Sequence, residues 1–214
     1  MSDLSNYGAT VKYDQTYSLG GSGDPLALSI DFFAAFTWLE YEDGELRDGY
    51  KGTVQIALSG HFGPNLGASI GYRYEWREST DDNPEGKLEG GDSDEVFDQQ
   101  RDGPFIRGEW NPNPKTTVFA EYSYLQGDVA ATANITKFED GFLFERARDF
   151  AFEEGVLFQV WKVDADQNLA TIGFTYPFSD IIGFELSANY LQASAEGGND
   201  YENFIVVGTL SISL

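Results

Sequence analysis

The sequence predicts an all-β fold: a single antiparallel up-and-down β-barrel, with eight strands directly supported and ten if two further segments also pair. Three observations predict it. Apolar residues recur at every second position through eight segments. Short turns and long polar loops alternate between those segments. And the two faces of each strand differ in a way that an ordinary soluble sheet does not require.

The first strand with a consistent pattern is "LALSIDFFAAFTW". Leu26, Leu28, Ile30, Phe32, Ala34, Phe36 and Trp38 point one way; Ala27, Ser29, Asp31, Ala35 and Thr37 point the other, with Phe33 the exception. The stretch from Tyr50 to Trp76 reads as two more. Gly52, Val54, Ile56, Leu58, Gly60 and Phe62 alternate with Lys51, Thr53, Gln55, Ala57, Ser59 and His61. After the break at 63–67, Ala68, Ile70, Tyr72, Tyr74 and Trp76 alternate with Ser69, Gly71, Arg73 and Glu75. Ile106, Gly108 and Trp110 then alternate with Arg107 and Glu109, and Val118, Ala120, Tyr122 and Tyr124 with Glu121 and Ser123. Three strands complete the set: Ala170 to Tyr176, Phe184 to Tyr190 and Phe204 to Leu214.

Turns are expected at Gly63–Gly67, Asn111–Lys115 and Pro177–Gly183, and long polar loops at Glu40–Gly49, Arg77–Asp102, Gln126–Asn168 and Ser194–Asn203. Residues 1–25 form an N-terminal extension or an additional strand, since Tyr7 to Leu19 also alternates and "GGSGDP" would turn it back onto Leu26. Nine strands would place the two termini at opposite ends, at odds with an even-stranded barrel. Residues 26–214 form the barrel domain, with a long irregular loop at 126–168. Within that loop, Phe142 to Val163 is aromatic without a clean period, open to being a hairpin, a packed loop or a short helix.

Composition narrows the functional classes. The 36 acidic and 13 basic residues give a formal net charge of -23, which argues against nucleic acid because phosphate binding needs Lys and Arg to displace counterions. With 41% hydrophobic and 15% aromatic residues the chain is not a disordered polyanion. Cysteine is absent, so no disulfide or thiolate metal site is encoded. No apolar run reaches the roughly 18 residues of a membrane helix, and "MSDLSNYG" carries no signal-peptide pattern in this numbering.

The polar face carries Asp31, Lys51, Arg73, Glu75, Arg107, Glu109, Glu121 and Glu185 among Gly, Ala, Ser and Thr. Charges of both signs among small residues fit the lining of a narrow barrel, where each needs a partner. The apolar face places Trp38, Phe62, Trp76, Trp110, Tyr176, Phe184 and Tyr190 toward strand ends, with aliphatic residues between. Aromatic girdles bracketing an aliphatic band describe a wall that faces lipid. In this pattern the chain resembles the small bacterial outer-membrane β-barrels, over residues 26–214, although such proteins usually end in an aromatic residue and this one ends in Leu214. The resemblance implies a transmembrane barrel, porin-like in architecture, with the lipid bilayer and lipopolysaccharide as surroundings and surface loops available to a protein partner.

Sites of chemistry are sparse. His61, the only histidine, shares a face with Ser59, a pair reminiscent of lipid hydrolases but placed at the short-turn end. "DADQN" (Asp164, Asp166, Asn168) begins like a calcium loop, then lacks its glycine and its twelfth-position Glu, and is expected to be a solvated loop. The acidic cluster Asp81 to Glu95 is expected to be a charged loop in water. "GGSGDP" lacks the Lys and strand–helix context of a phosphate cradle. No enzyme, cofactor or metal is expected. The function expected is a narrow, passive, cation-preferring channel or a structural surface barrel. The alternatives are a partner-binding subunit docking through its loops and a soluble barrel binding an apolar ligand.

Overall fold

Alternation alone makes each segment a strand, and the turn chemistry between segments makes the strands antiparallel. In the computed structural model, which describes residues 6–19, 26–41, 48–80, 97–134, 146–148, 158–179, 181–195 and 199–212, the chain is all-β. The strands are β1 (Asn6–Leu19), β2 (Leu26–Tyr41), β3 (Gly49–Phe62), β4 (Leu66–Ser79), β5 (Gln99–Asn113), β6 (Thr116–Asn134), β7 (Arg146–Arg148), β8 (Phe158–Pro177), β9 (Ile182–Ala195) and β10 (Asn199–Ile212). Nine of them form one antiparallel meander in chain order, and the three-residue β7 pairs with β8 beside it. No α-helix occurs among the described residues.

The N-terminal segment is a strand. β1 pairs with β2 from Asn6 opposite Tyr41 to Leu19 opposite Leu28, so the meander has nine strands rather than eight. One end of the sheet gathers the connections 63–65, 114–115 and 178–181; the other gathers 42–48, 80–98 and 135–157. β1 starts at the long-loop end and β10 finishes at the short-turn end, so the outermost strands run in the same direction.

Several strands outrun the expected loops. The long loop placed at 126–168 is the largest correction: β6 continues to Asn134 and β8 begins at Phe158, paired from Gln126 opposite Asp166 through Asn134 opposite Phe158. "DADQN" therefore lies within β8, not in a loop. Val163, Ala165 and Gln167 are buried there while Asp164 and Asp166 are exposed. The ladder continues because one face of this stretch is buried through Val163, Ala165 and Gln167, while the acids take the other face. Likewise β5 begins at Gln99, and only residues 196–198 separate β9 from β10, so the regular short–long alternation fails at its last step. Most of 142–163, the "GGSGDP" turn and the 81–95 acidic cluster lie outside the described residues.

The burial of the two faces is inverted relative to a soluble sheet. Register partners define one row across all nine strands: Tyr17, Ile30, Leu58, Ile70, Ile106, Tyr122, Ala170, Tyr190 and Phe204. None is charged and every one is exposed. The adjacent row on the opposite face runs through Ser29, Ser59, Ser69, Arg107, Glu121, Thr171 and Asn189, all half-buried. A single-layer sheet can cover one face only by curling about it, so the sheet curls around its polar side.

Candidate functional site: the polar interior face

The polar face is built on aromatic platforms. Phe105 sits directly opposite Gly71, and Phe119 directly opposite Gly173. A Cβ on Gly71 would come within 2.6 Å of the Phe105 ring, and one on Gly173 within 2.7 Å of Phe119. Each glycine thus leaves the space its cross-strand ring fills, a known way of supporting glycine in sheets. Both rings are almost fully buried. On each lies a guanidinium: Arg73 at 5.2 Å from the Phe105 centroid and Arg107 at 4.2 Å from that of Phe119. The same glycine–phenylalanine–arginine arrangement is therefore used twice.

The two arginines converge on Glu121. Arg73 Nη2 donates to Glu121 Oε1 at 2.6 Å, and Arg107 Nη1 lies 3.6 Å from Oε2. Arg73 also donates to Gln55 Oε1 from Nε and Nη2 at 3.1 and 3.0 Å. Arg107 donates from Nε to Glu109 at 2.8 Å. Ser59 donates to the Asp31 carboxylate and lies 2.9 Å from Ser69 Oγ. Toward the long-loop end, Arg101 donates to Glu75 from Nε and Nη2 at 2.9 and 2.6 Å and to Gln167 Oε1 at 2.6 Å. Lys51 is 4.0 Å from Glu75. Arg73 to Glu121 and Arg101 to Gln167 each span a strand, tying β4 to β6 and β5 to β8.

Seven of the eight predicted charged residues belong to this one surface. Asp31, Arg73, Glu75, Arg107, Glu109 and Glu121 line a cavity of about 530 Å³, together with Gln15, Phe33, Thr53 and Gln55. Lys51 borders the neighbouring cavity through Glu75. Glu185 stands apart on β9, opposite Thr175 and Thr209, without an ion-pair partner among the described residues. The cavity lining holds four carboxylates and two guanidiniums; Glu75 is paired with Arg101 and Lys51, Glu109 and Glu121 with the two guanidiniums, and Asp31 is left without an ion-pair partner among the described residues. Sequence reading missed Arg101, which falls where a loop was expected, although it alternates with Asp102 ahead of Phe105.

The aromatic residues fall on the opposite, apolar face. Phe62, Trp110, Tyr176 and Phe184 lie near the short turns, where Tyr176 and Phe178 meet edge-on at 5.3 Å. Trp38 and Trp76 lie toward the long loops, with Trp76 stacked on Tyr74 at 5.7 Å. Tyr190 sits mid-strand, between Ala170 and Phe204. A second feature escaped the sequence. Tyr72 donates to Asp102, and Tyr122 donates to Asn168 at 2.5 Å. Gln126 bridges Tyr124 and Asp166 at 3.2 and 2.9 Å. In each case an outward tyrosine points its hydroxyl toward the long-loop end and meets a polar group there. These tyrosines mark a line between Ile70 and Ile172 on the short-turn side and Asp102 and Asp166 on the long-loop side.

His61 and Ser59 form no pair; Ser59 is committed to Asp31 and Ser69, and His61 is exposed at the end of β3. Among the described residues no group of three or more His, Asp or Glu converges as a metal site. Comparison with protein-family models, with curated proteins and with solved structures finds no match for this chain.

Proposed function

We propose that this chain is an integral β-barrel of the bacterial outer membrane, acting as a narrow, passive channel that favours cations. The observation that carries this reading is the pair of adjacent register rows: nine exposed, uncharged residues on one face against serine, arginine, glutamate, threonine and asparagine on the other. Exposing so much contiguous apolar surface to water is unfavourable, since monomeric soluble proteins rarely leave patches beyond a few hundred Å² uncovered. Lipid removes that cost, and the tyrosine line fits the depth where rings meet headgroups. Strand lengths of 14 residues or more exceed the roughly 9–11 needed to cross a bilayer at a tilt. In lipid the sheet must close, because an open edge leaves backbone groups unpaired.

Cation preference is read from Asp31, the lining carboxylate that no cation pairs among the described residues. A structural barrel with a filled interior is the second reading, favoured by the Arg73–Glu121 and Arg101–Gln167 bridges that reach across the polar face. Planar-bilayer recording after refolding in detergent separates the two. Discrete steps with a cation-directed reversal potential in a salt gradient are expected of the channel. Insertion into liposomes without conductance would leave the filled barrel, and a protein that remains in water without detergent would end both.

A further inference from the structure

We infer that the barrel closes through a parallel seam between β1 and β10; this rests on the membrane-barrel reading above. Each of these strands has 14 residues and, among the described residues, pairs on one side only. Both keep the exposed apolar face: Val11, Tyr13 and Tyr17 on β1, and Phe204, Val206 and Leu210 on β10. Because seven alternating strands separate them, β1 and β10 run in the same direction, so any bond between them within one barrel is parallel.

The rival closure displaces β1 and joins β10 to β2 as an eight-stranded, wholly antiparallel barrel. Two observations disfavour it. The edge of β2 is already occupied by β1 from Leu28 to Tyr41. And β1 extends the apolar face in register, with Val11 opposite Phe36, Tyr13 opposite Ala34 and Tyr17 opposite Ile30. A displaced plug or extension in water would have no use for that stripe.

The offset of the seam follows from strand tilt. Without displacement, the register row that starts at Tyr17 ends at Phe204. A closed barrel of nine strands tilted by roughly 35–45°, spaced about 4.8 Å apart with a rise of about 3.3 Å per residue, returns that row displaced by about 9 to 13 residues, and about ten is the even value that keeps the longest overlap. Only displacement toward the C-terminus keeps the two strands overlapping. An even displacement also keeps both apolar faces on the same side. Tyr13 then lies beside Leu210, and Val11 beside Gly208.

The chain contains no cysteine, so engineered pairs read cleanly. Tyr13→Cys is combined in turn with Val206→Cys, Gly208→Cys and Leu210→Cys in liposome-refolded protein, and each is oxidised. A reductant-reversible, intramolecular change in the mobility of the unfolded chain, strongest for Y13C/L210C, is expected. Phe36→Cys with Gly208→Cys probes the rival closure. Cross-linking of that pair, a disulfide dimer formed through positions 13 and 210, or no cross-link from position 13 to any of the three partners would each overturn the seam. Conductance is recorded on the same material. A cross-linked barrel that passes no current keeps the seam and defeats only the channel.

Discussion

Replacing Glu121 by glutamine removes one negative charge from the point where two guanidiniums meet. Its side chain is 11% exposed and that of Arg73 13%, so neither charge is freely solvated. Breaking a buried ion pair by deleting one partner costs about 3–5 kcal/mol when the other is stranded. Here Arg73 keeps Gln55 and the face of Phe105, and Arg107 keeps Glu109. The expected loss is therefore smaller, about 2 kcal/mol, between the stranded case and the near-zero value of an exposed pair. Tryptophan fluorescence through a urea titration of the refolded protein measures it. Glu109→Gln supplies the comparison: that side chain is 34% exposed and loses one partner, so its cost should stay below about 1 kcal/mol. Combining Arg73→Gln with Glu121→Gln should recover about 1–2 kcal/mol of coupling. If Glu121→Gln costs no more than Glu109→Gln, or the double variant is simply additive, the interior network is not holding the strands together.

Three further outcomes follow from the two faces and the close approaches. Ile172→Arg, on the apolar face and 60% exposed, should destabilise the refolded protein by about 2–4 kcal/mol in a bilayer; a change within about 0.5 kcal/mol would mean that this face meets water. Gly103→Ala drives a Cβ into the backbone carbonyl of Tyr124, and should cost about 1–3 kcal/mol in the same titration because backbone cannot step aside. Asp31→Asn, which keeps a hydrogen-bond partner for Ser59 while removing charge from the cavity, should reduce cation preference in the reversal potential without lowering stability by more than about 1 kcal/mol. An unchanged reversal potential would take Asp31 out of the ion path.

The apolar band was legible because alternation there is chemically stark: Ile70 and Ile106 against Ser69 and Arg107 leave only one register. Where strands run past the band the signal fades. Asp164 and Asp166 alternate with Ala165 and Gln167, a pattern indistinguishable from a polar loop until the ladder with β6 is seen. The polar interior was legible as a set of charges but not as a network. Nothing in the local sequence says that Arg73 reaches over β5 to Glu121, or that Phe105 and Phe119 each fill the space left by a glycine on the next strand. Those contacts depend on curvature, which is a property of the whole sheet. The tyrosine line was missed for a related reason. Tyr72, Tyr122 and Tyr124 looked like any outward aromatics until their hydroxyls were seen to share one direction.

The chain-order meander also sets an assembly sequence. Every ladder among the described residues joins strands that follow one another in the chain, with only the three-residue β7 between β6 and β8, so hairpins can form before the sheet exists. Two residues connect β5 to β6, whereas residues 135–157 separate β6 from β8. Closing the longer connection costs about 2 kcal/mol more in chain entropy, and the long β6–β8 ladder is positioned to offset it. Until the last edge is covered, β10 presents Ile205, Val206 and Val207 with both its faces exposed. From Phe204 to Ile212 the strand carries no charge, and an apolar, uncharged stretch with a free edge promotes aggregation between chains. If the proposed seam closes the sheet, the chain is most exposed to aggregation before that seam forms, and the yield of refolding should fall with protein concentration more steeply than its stability would suggest.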